Sequence, residues 1–240
     1  MVLDIKERSY YFTVMTRTAP LREIPLRKGE ETRATILDAA LRQASRSGFE
    51  ALTIGSLAET TGLSKSGLFA HFGSKEELQI ATLDEAVRRF IECVFVPAVK
   101  HPRGLKRLRA LFESWLVWTD RTDLPGSCPI QTASVEFDSQ PGAVRDAVVQ
   151  QQRRLEKEIT TTVQMTIDSG EFAADSDPRQ FTYELLGILL VFSQARHLLG
   201  DKGAAERART AFERLVAAYS QSSLPHLARV PRRAAVRSGK

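Results

Sequence analysis

Apolar side chains recur along the chain at intervals of three and four, the spacing of one face of an α-helix. Ile36, Ala40 and Ala44 fall four apart with Leu37 and Leu41 beside them, so residues 30–47 form a first helix. Ser47-Gly48 ends it, and Phe49 is the apolar contact beyond the cap. In residues 53–77, TIGSLAETTGLSKSGLFAHFGSKEE, the rhythm shortens. Thr53 is placed to cap a short helix whose apolar face is Ile54, Leu57 and Ala58. Gly62 follows where a left-handed turn residue is needed. Ser64 then caps a second short helix, in which Leu68 and Phe72 share a buried face. The small Ala58 lets the two helices cross closely. Two short helices joined by a tight turn in this way have the layout of a DNA-reading helix-turn-helix.

Gly73-Ser74 breaks the second helix, and Ser74 with Glu77 fits a capping box for a long helix over 75–95, stopped at Pro97. From residue 103, Leu105, Leu108, Leu111, Phe112, Trp115 and Leu116 lie at helical spacing. A loop follows at 121–129, then a short helix over 130–137, a turn at 139–142 and a long helix over 143–168. Asp177-Pro178 opens a helix over 178–199, stopped by Gly200, and the last helix covers 204–219. No strand-period pattern and no internal repeat stands out. The expected fold is all-α: a three-helix helix-turn-helix domain over 29–75 and a larger helical domain over 76–223, about nine helices in total. Flanking them are a flexible basic arm over 1–28 and a disordered basic tail over 224–240.

Composition narrows the class. At 42% apolar and 26% charged residues the chain reads as an ordinary soluble protein. It has no long apolar run for a membrane span and no secretory h-region. Cys93 and Cys128 make no disulfide framework, which points to the cytoplasm. The net charge of +5 is misleading as a nucleic-acid signal. Residues 1–80 carry 11 basic and 10 acidic side chains, residues 81–223 carry 18 and 19, and residues 224–240 carry 5 and 0. The informative feature is local: from Thr61 to Lys75 there are Lys65, His71 and Lys75 and no acid. Between Met15 and Lys28 lie Arg17, Arg22, Arg27 and Lys28 against Glu23 alone; they fit either an arm that tracks phosphates or enters a minor groove, or a solvated tail. Met15 opens a stretch that reads like a natural start, as an alternative to Met1. The chain has no P-loop, dinucleotide fingerprint, nucleophile elbow or H-E-x-x-H, and His71, His101, His197 and His226 show no metal spacing. An enzyme, a metal and a cofactor are therefore not expected.

The ordered segments T-I-x-x-L-A, T-G-L-S-K, L-F-x-H-F and S-K-E-E-L, within residues 30–80, resemble the TetR family of transcriptional regulators. The remaining residues resemble that family in being helical and of the right length. The resemblance implies a homodimer with an N-terminal DNA-binding domain and a C-terminal ligand and dimer domain. Its function would be a ligand-released repressor on a palindromic operator. An activator of the same fold, or a helical interaction protein that has lost DNA binding, are the alternatives.

The residues expected at double-stranded DNA are Thr53, Ser64, Lys65, Ser66, Gly67, Phe69, His71 and Lys75. Thr53 and Ser64 sit at helix starts that favour phosphate. Lys65 reaches a guanine edge or a phosphate. His71 and Lys75 resemble the family's backbone clamps. Two positions depart from the pattern: Phe69 stands where the family usually has tyrosine, and Gly67 where it has Thr, Ser or Ala. For a small apolar effector the expected wall is Phe112, Trp115, Trp118, Cys128, Phe137 and Phe192, although a helical core needs such residues in any case. Glu136, Arg145, Gln194, Arg196 and His197 are polar groups on or beside apolar faces and candidates to orient it. The last two helices are apolar on more than one face and are expected to pair with their copies as a four-helix bundle through Phe181, Leu186, Leu190, Phe212, Leu215 and Tyr219.

Overall fold

The computed structural model describes residues 28–121 and 123–220. The arm expected over 1–28 falls, but for its last residue, outside the described residues, and so does the tail over 224–240. Among the described residues there are nine helices and no strand. They are α1 (Lys28–Ser47), α2 (Ile54–Thr61), α3 (Lys65–Phe72), α4 (Lys75–Phe90, continuing beyond), α5 (Leu105–Thr119), α6 (Pro129–Glu136), α7 (Ala143–Asp168), α8 (Pro178–His197) and α9 (Ala204–Ser220).

Helices α1–α3 form the small N-terminal head. Its core is the set the periodicity marked: Ile36, Leu37, Ala40, Leu41, Ala44, Phe49, Leu57, Leu68 and Phe72 are buried. Each large aliphatic or aromatic side chain so buried stabilises the head by roughly 1.5–3 kcal/mol. Gly62 closes α2 at φ 70°, where a side chain would strain the backbone, and its N–H donates to Ala58 O.

The expected stop at Pro97 is not where the helix ends. α4 opens into a π turn over Ile91–Phe95 and resumes as α-helix over Val96–Ala98. Proline has no N–H to donate and its ring crowds the carbonyl four residues back. The wider turn, in which Val96 N–H reaches Ile91 O, accommodates it without ending the helix. The complete capping box also sits elsewhere than expected. Thr53 and Ser56 satisfy each other's backbone at α2, whereas the Ser74 hydroxyl accepts from Glu77 N–H while its own N–H donates to Phe72 O.

The head docks on α4 through Arg89, whose guanidinium bridges Asp38 on α1 at 2.9 Å and Glu85 at 2.6 Å. Behind α4 the larger domain packs α5–α9 around an aromatic interior. Phe112 of α5 stacks on Phe212 of α9 with centroids 4.1 Å apart. Phe181 of α8 meets Tyr219 of α9 edge-on at 4.9 Å. Burial and the nearby Glu184 carboxylate push the Tyr219 phenol up to about 12.

Candidate nucleic-acid interface and internal cavity

The exposed edge of the head is built from two helix starts. Thr53 Oγ1 accepts from Ser56 N–H at 3.0 Å, and Ser64 Oγ accepts from Gly67 N–H at 3.1 Å. Neither α2 nor α3 has an acid in its first turn, so the positive ends of both helix dipoles are uncompensated. Thr53, Ser64, Lys65, Ser66, Phe69 and Lys75 are exposed, Gly67 and His71 half-buried. Six of the eight expected DNA residues are thus open to solvent, on α2, α3 and their flanks and at the start of α4. Phe69 is 51% exposed, an aromatic ring turned to solvent on a helix whose other aromatic, Phe72, is buried. His71 lies tilted against Phe72 with ring centroids 6.3 Å apart. Lys75 is anchored: its Nζ donates to Glu50 O at 2.9 Å and stands 3.8 Å from the Glu50 carboxylate.

Two contributors to this surface were missed from sequence. Gly55, in the first turn of α2, lies under the Lys65 stem, whose Cε is 3.8 Å from where a β-carbon on Gly55 would stand. This sets Lys65 beside the start of α2 as well as on α3. Gln43 of α1 donates to both Ala51 O and Ser56 Oγ at 3.0 Å and so fixes the α2 start to α1. A glutamine on the polar side of an amphipathic helix carries no local signal of that long-range role.

The larger domain contains a cavity of about 620 Å³ among α4–α8. Phe90, Trp115, Cys128, Ile130, Leu155 and Leu189 form much of its apolar wall, and Tyr183 and Leu190 stand at its open side. Of the expected effector residues, Trp115 and Cys128 line it. Phe112, Trp118, Phe137 and Phe192 are buried in the surrounding core and do not line it. Trp118 packs edge-on against Phe90 and donates its Nε1–H to Cys128 Sγ at 3.3 Å. Burial pushes the Cys128 thiol up.

The polar candidates take up other positions. Glu136 does not line the cavity: its Oε2 accepts the Phe49 N–H at 2.7 Å, at the junction of α1 and α2. Arg145 donates to Asp138 O at 3.1 Å. Arg196 pairs with Asp120 at 2.5 Å, and a His197 ring nitrogen lies 2.9 Å from Thr119 O, so the end of α8 is tied to the end of α5. Gln194 is exposed on α8, on a smaller groove shared with Ser127 and His197.

The cavity is physically joined to the head. α6 puts Ile130, Gln131, Ser134 and Val135 on the cavity, while Glu136 at its end holds Phe49. From the other side Gln79 donates to Phe49 O at 2.8 Å. The loop before α6 adds a second tie, in which Ser45 of α1 accepts from Gly126 N–H at 2.9 Å and donates to Ser127 O at 3.2 Å. A β-carbon on Gly126 would overlap the Ser45 carbonyl, so glycine is required for this approach.

Of the expected dimer residues, Phe181, Phe212, Leu215 and Tyr219 are buried inside the subunit, Leu186 is half-buried and Leu190 is exposed. The outward face of α8 is instead Tyr183, Gly187, Leu190, Val191 and Gln194, with Leu198 just past its end. Tyr183, Gly187, Leu190 and Gln194 follow in steps of four, three and four with Val191 beside them, a stripe that apolar residues on the opposite face hide in the sequence. Val191 is 62% and Leu198 73% exposed.

Comparisons with known proteins match two segments of the chain. Residues 36–82 match the family model for bacterial regulatory proteins of the tetR family, and residues 104–212 match a Tetracyclin repressor-like C-terminal domain. The HTH-type transcriptional repressors AcnR of Corynebacterium efficiens and Corynebacterium glutamicum are each 39% identical over 67 residues, covering 28% of this chain and 36% of theirs. The chain thus matches about a third of the length of these curated relatives. A TetR transcriptional regulator from Chloroflexus aurantiacus superposes with a TM-score of 0.72 at 26% identity, over 82% of this chain and 98% of that one. AibR, solved in complex with isovaleryl coenzyme A and operator DNA, superposes with a TM-score of 0.61 at 18% identity, over 79% of this chain and 99% of that one. With both halves matched in order on an all-helical frame, the chain belongs to the TetR family of transcriptional regulators.

Proposed function

We propose that the protein is a homodimeric repressor that binds a palindromic operator in the cytoplasm and is released by a small molecule held in the 620 Å³ cavity. The observation that carries this reading is the pair of exposed helix starts with no acid in either first turn, where the Lys65 stem lies beside the start of α2 as well as on α3. Phosphates seat against the two helix starts and against Thr53 and Ser64. Lys65 and Ser66 reach base edges, and the outward Phe69 ring meets a thymine methyl in the major groove. Gly67 offers no side chain to a base, so DNA shape contributes to specificity. His71 and Lys75 flank the reading helix as backbone contacts.

Pairing follows from the apolar stripe on α8. Gly187 lies mid-helix on that stripe, with nothing within 4 Å of where a β-carbon would be. Glycine there costs the free helix about 1 kcal/mol relative to alanine, and close approach of the partner's α8 accounts for its use. Release follows from the α6 connection: a molecule pressing on Ile130, Ser134 and Val135 moves the helix that holds Phe49 and Ser45. Each head then shifts relative to its twin, and the two-fold spacing fails. The AcnR relatives are named repressors, and AibR is a regulator of this fold described with both operator DNA and an acyl thioester; both support the reading.

Gly67 and Phe69 favour a second reading, a helical interaction protein with a silent head. Selection from a random duplex pool separates the two. The proposal expects enrichment of an inverted repeat with half-sites about one helical turn apart. A folded dimer that enriches no sequence supports the second reading.

A further inference from the structure

We propose that the molecule taken by the cavity is a lipophilic organic cation, an apolar body carrying one ammonium-type charge. This rests on the reading of that cavity as the effector site. The wall offers aromatic surface from Phe90, Trp115 and Tyr183. The charged residues lining it are Asp138 and Glu184, and no Lys, Arg or His among the described residues does so. A carboxylate or phosphate entering would lose hydration, meet no cation and face two acids. A cation meets both acids and the negative faces of the aromatic rings.

The two acids are not equivalent. Asp138 is exposed, and the Arg145 guanidinium donates to its carbonyl at 3.1 Å, which weakens its field. Glu184 is half-buried on α8, and its carboxylate accepts from the neutral Gln180 amide at 2.8 Å and bonds the Tyr219 phenol, two uncharged partners that orient it without cancelling its charge. Glu184 is therefore the group that selects the sign of the ligand. Gln152, also on the wall, donates to Ser134 Oγ at 2.6 Å, and the Ser134 hydroxyl in turn donates to Ile130 O at 2.8 Å, so that hydroxyl has no proton to offer an anion.

The test uses an isosteric pair, tetraphenylphosphonium and tetraphenylborate, with uncharged Nile red as a third probe, on the full-length protein without DNA. Binding is followed by quenching of Trp115 and Trp118 and by Nile red emission. The expected result is phosphonium binding at least about tenfold tighter than borate. Glu184→Gln should lose about five- to tenfold of the phosphonium affinity and leave Nile red unchanged, with an unaltered circular dichroism spectrum. Equal or tighter borate binding overturns the proposal, as does a phosphonium affinity unmoved by Glu184→Gln. If Nile red binds and neither ion does, the cavity reading stands and the cation falls. If no probe binds, the cavity reading falls as well. DNA binding is measured separately, so failure of the repressor reading is not confused with any of these.

Discussion

Lys65 stands out because of what lies beneath it. Its stem crosses Gly55, so it lies beside the start of α2 as well as at the start of α3. Lys65→Ala is expected to weaken operator binding by about 1–3 kcal/mol, the worth of one good base contact. An unchanged affinity in an anisotropy titration removes Lys65 from the interface. Glu158 belongs to the interior. It is 2% exposed, and its Oε2 has no hydrogen-bond partner among the described residues. Burial pushes its carboxyl up. A raised carboxylate binds its proton more tightly in the folded state than in the unfolded one. Stability is therefore fullest below the ordinary carboxylate range and declines as pH rises through the raised value. Thermal melts across pH should show that decline in the wild type and its loss in Glu158→Gln; parallel profiles contradict it.

Among the elements, α6 connects the two halves of the molecule. One face closes the cavity, and its terminal Glu136 binds the Phe49 N–H between α1 and α2. Glu136→Ala leaves that amide without its charged acceptor, at a cost of about 1–3 kcal/mol in urea unfolding. The same variant should bind ligand normally yet release DNA less completely. Wild-type release in a competition titration would show that the connection does not transmit. Sequence was a good guide to features set within a few residues: the Thr53 and Ser64 caps, the Gly62 turn and the bounds of α7 all follow from local chemistry. It was a poor guide where a side chain's partner is remote. Glu136 and Gln43 carry no local mark of whether they face a ligand, solvent or a backbone amide far along the chain. Pro97 misled for a related reason, since the π turn that accommodates it is a property of how α4 is held by its neighbours.

For the whole molecule the proposed two-fold assembly is decisive. α8 is apolar on two sides, and periodicity alone does not say which side stays inside the subunit. The aromatic cluster of Phe172, Phe181 and Tyr219 takes one, leaving Tyr183, Leu190, Val191 and Leu198 exposed, the surface proposed above for pairing. Val191→Glu places a charge in that interface without touching the core. It is expected to give monomers in sedimentation velocity and to lower DNA affinity steeply, because a single head holds one half-site. A dimer that survives Val191→Glu locates the interface elsewhere.

The most direct test of the account is a titration of DNA from upstream of the protein's own gene with purified dimer at physiological salt. The account predicts sequence-specific binding of two subunits per site, weakening linearly in log affinity as log salt rises because phosphate contacts release counterions. A folded dimer that binds this DNA no better than an unrelated duplex would contradict it.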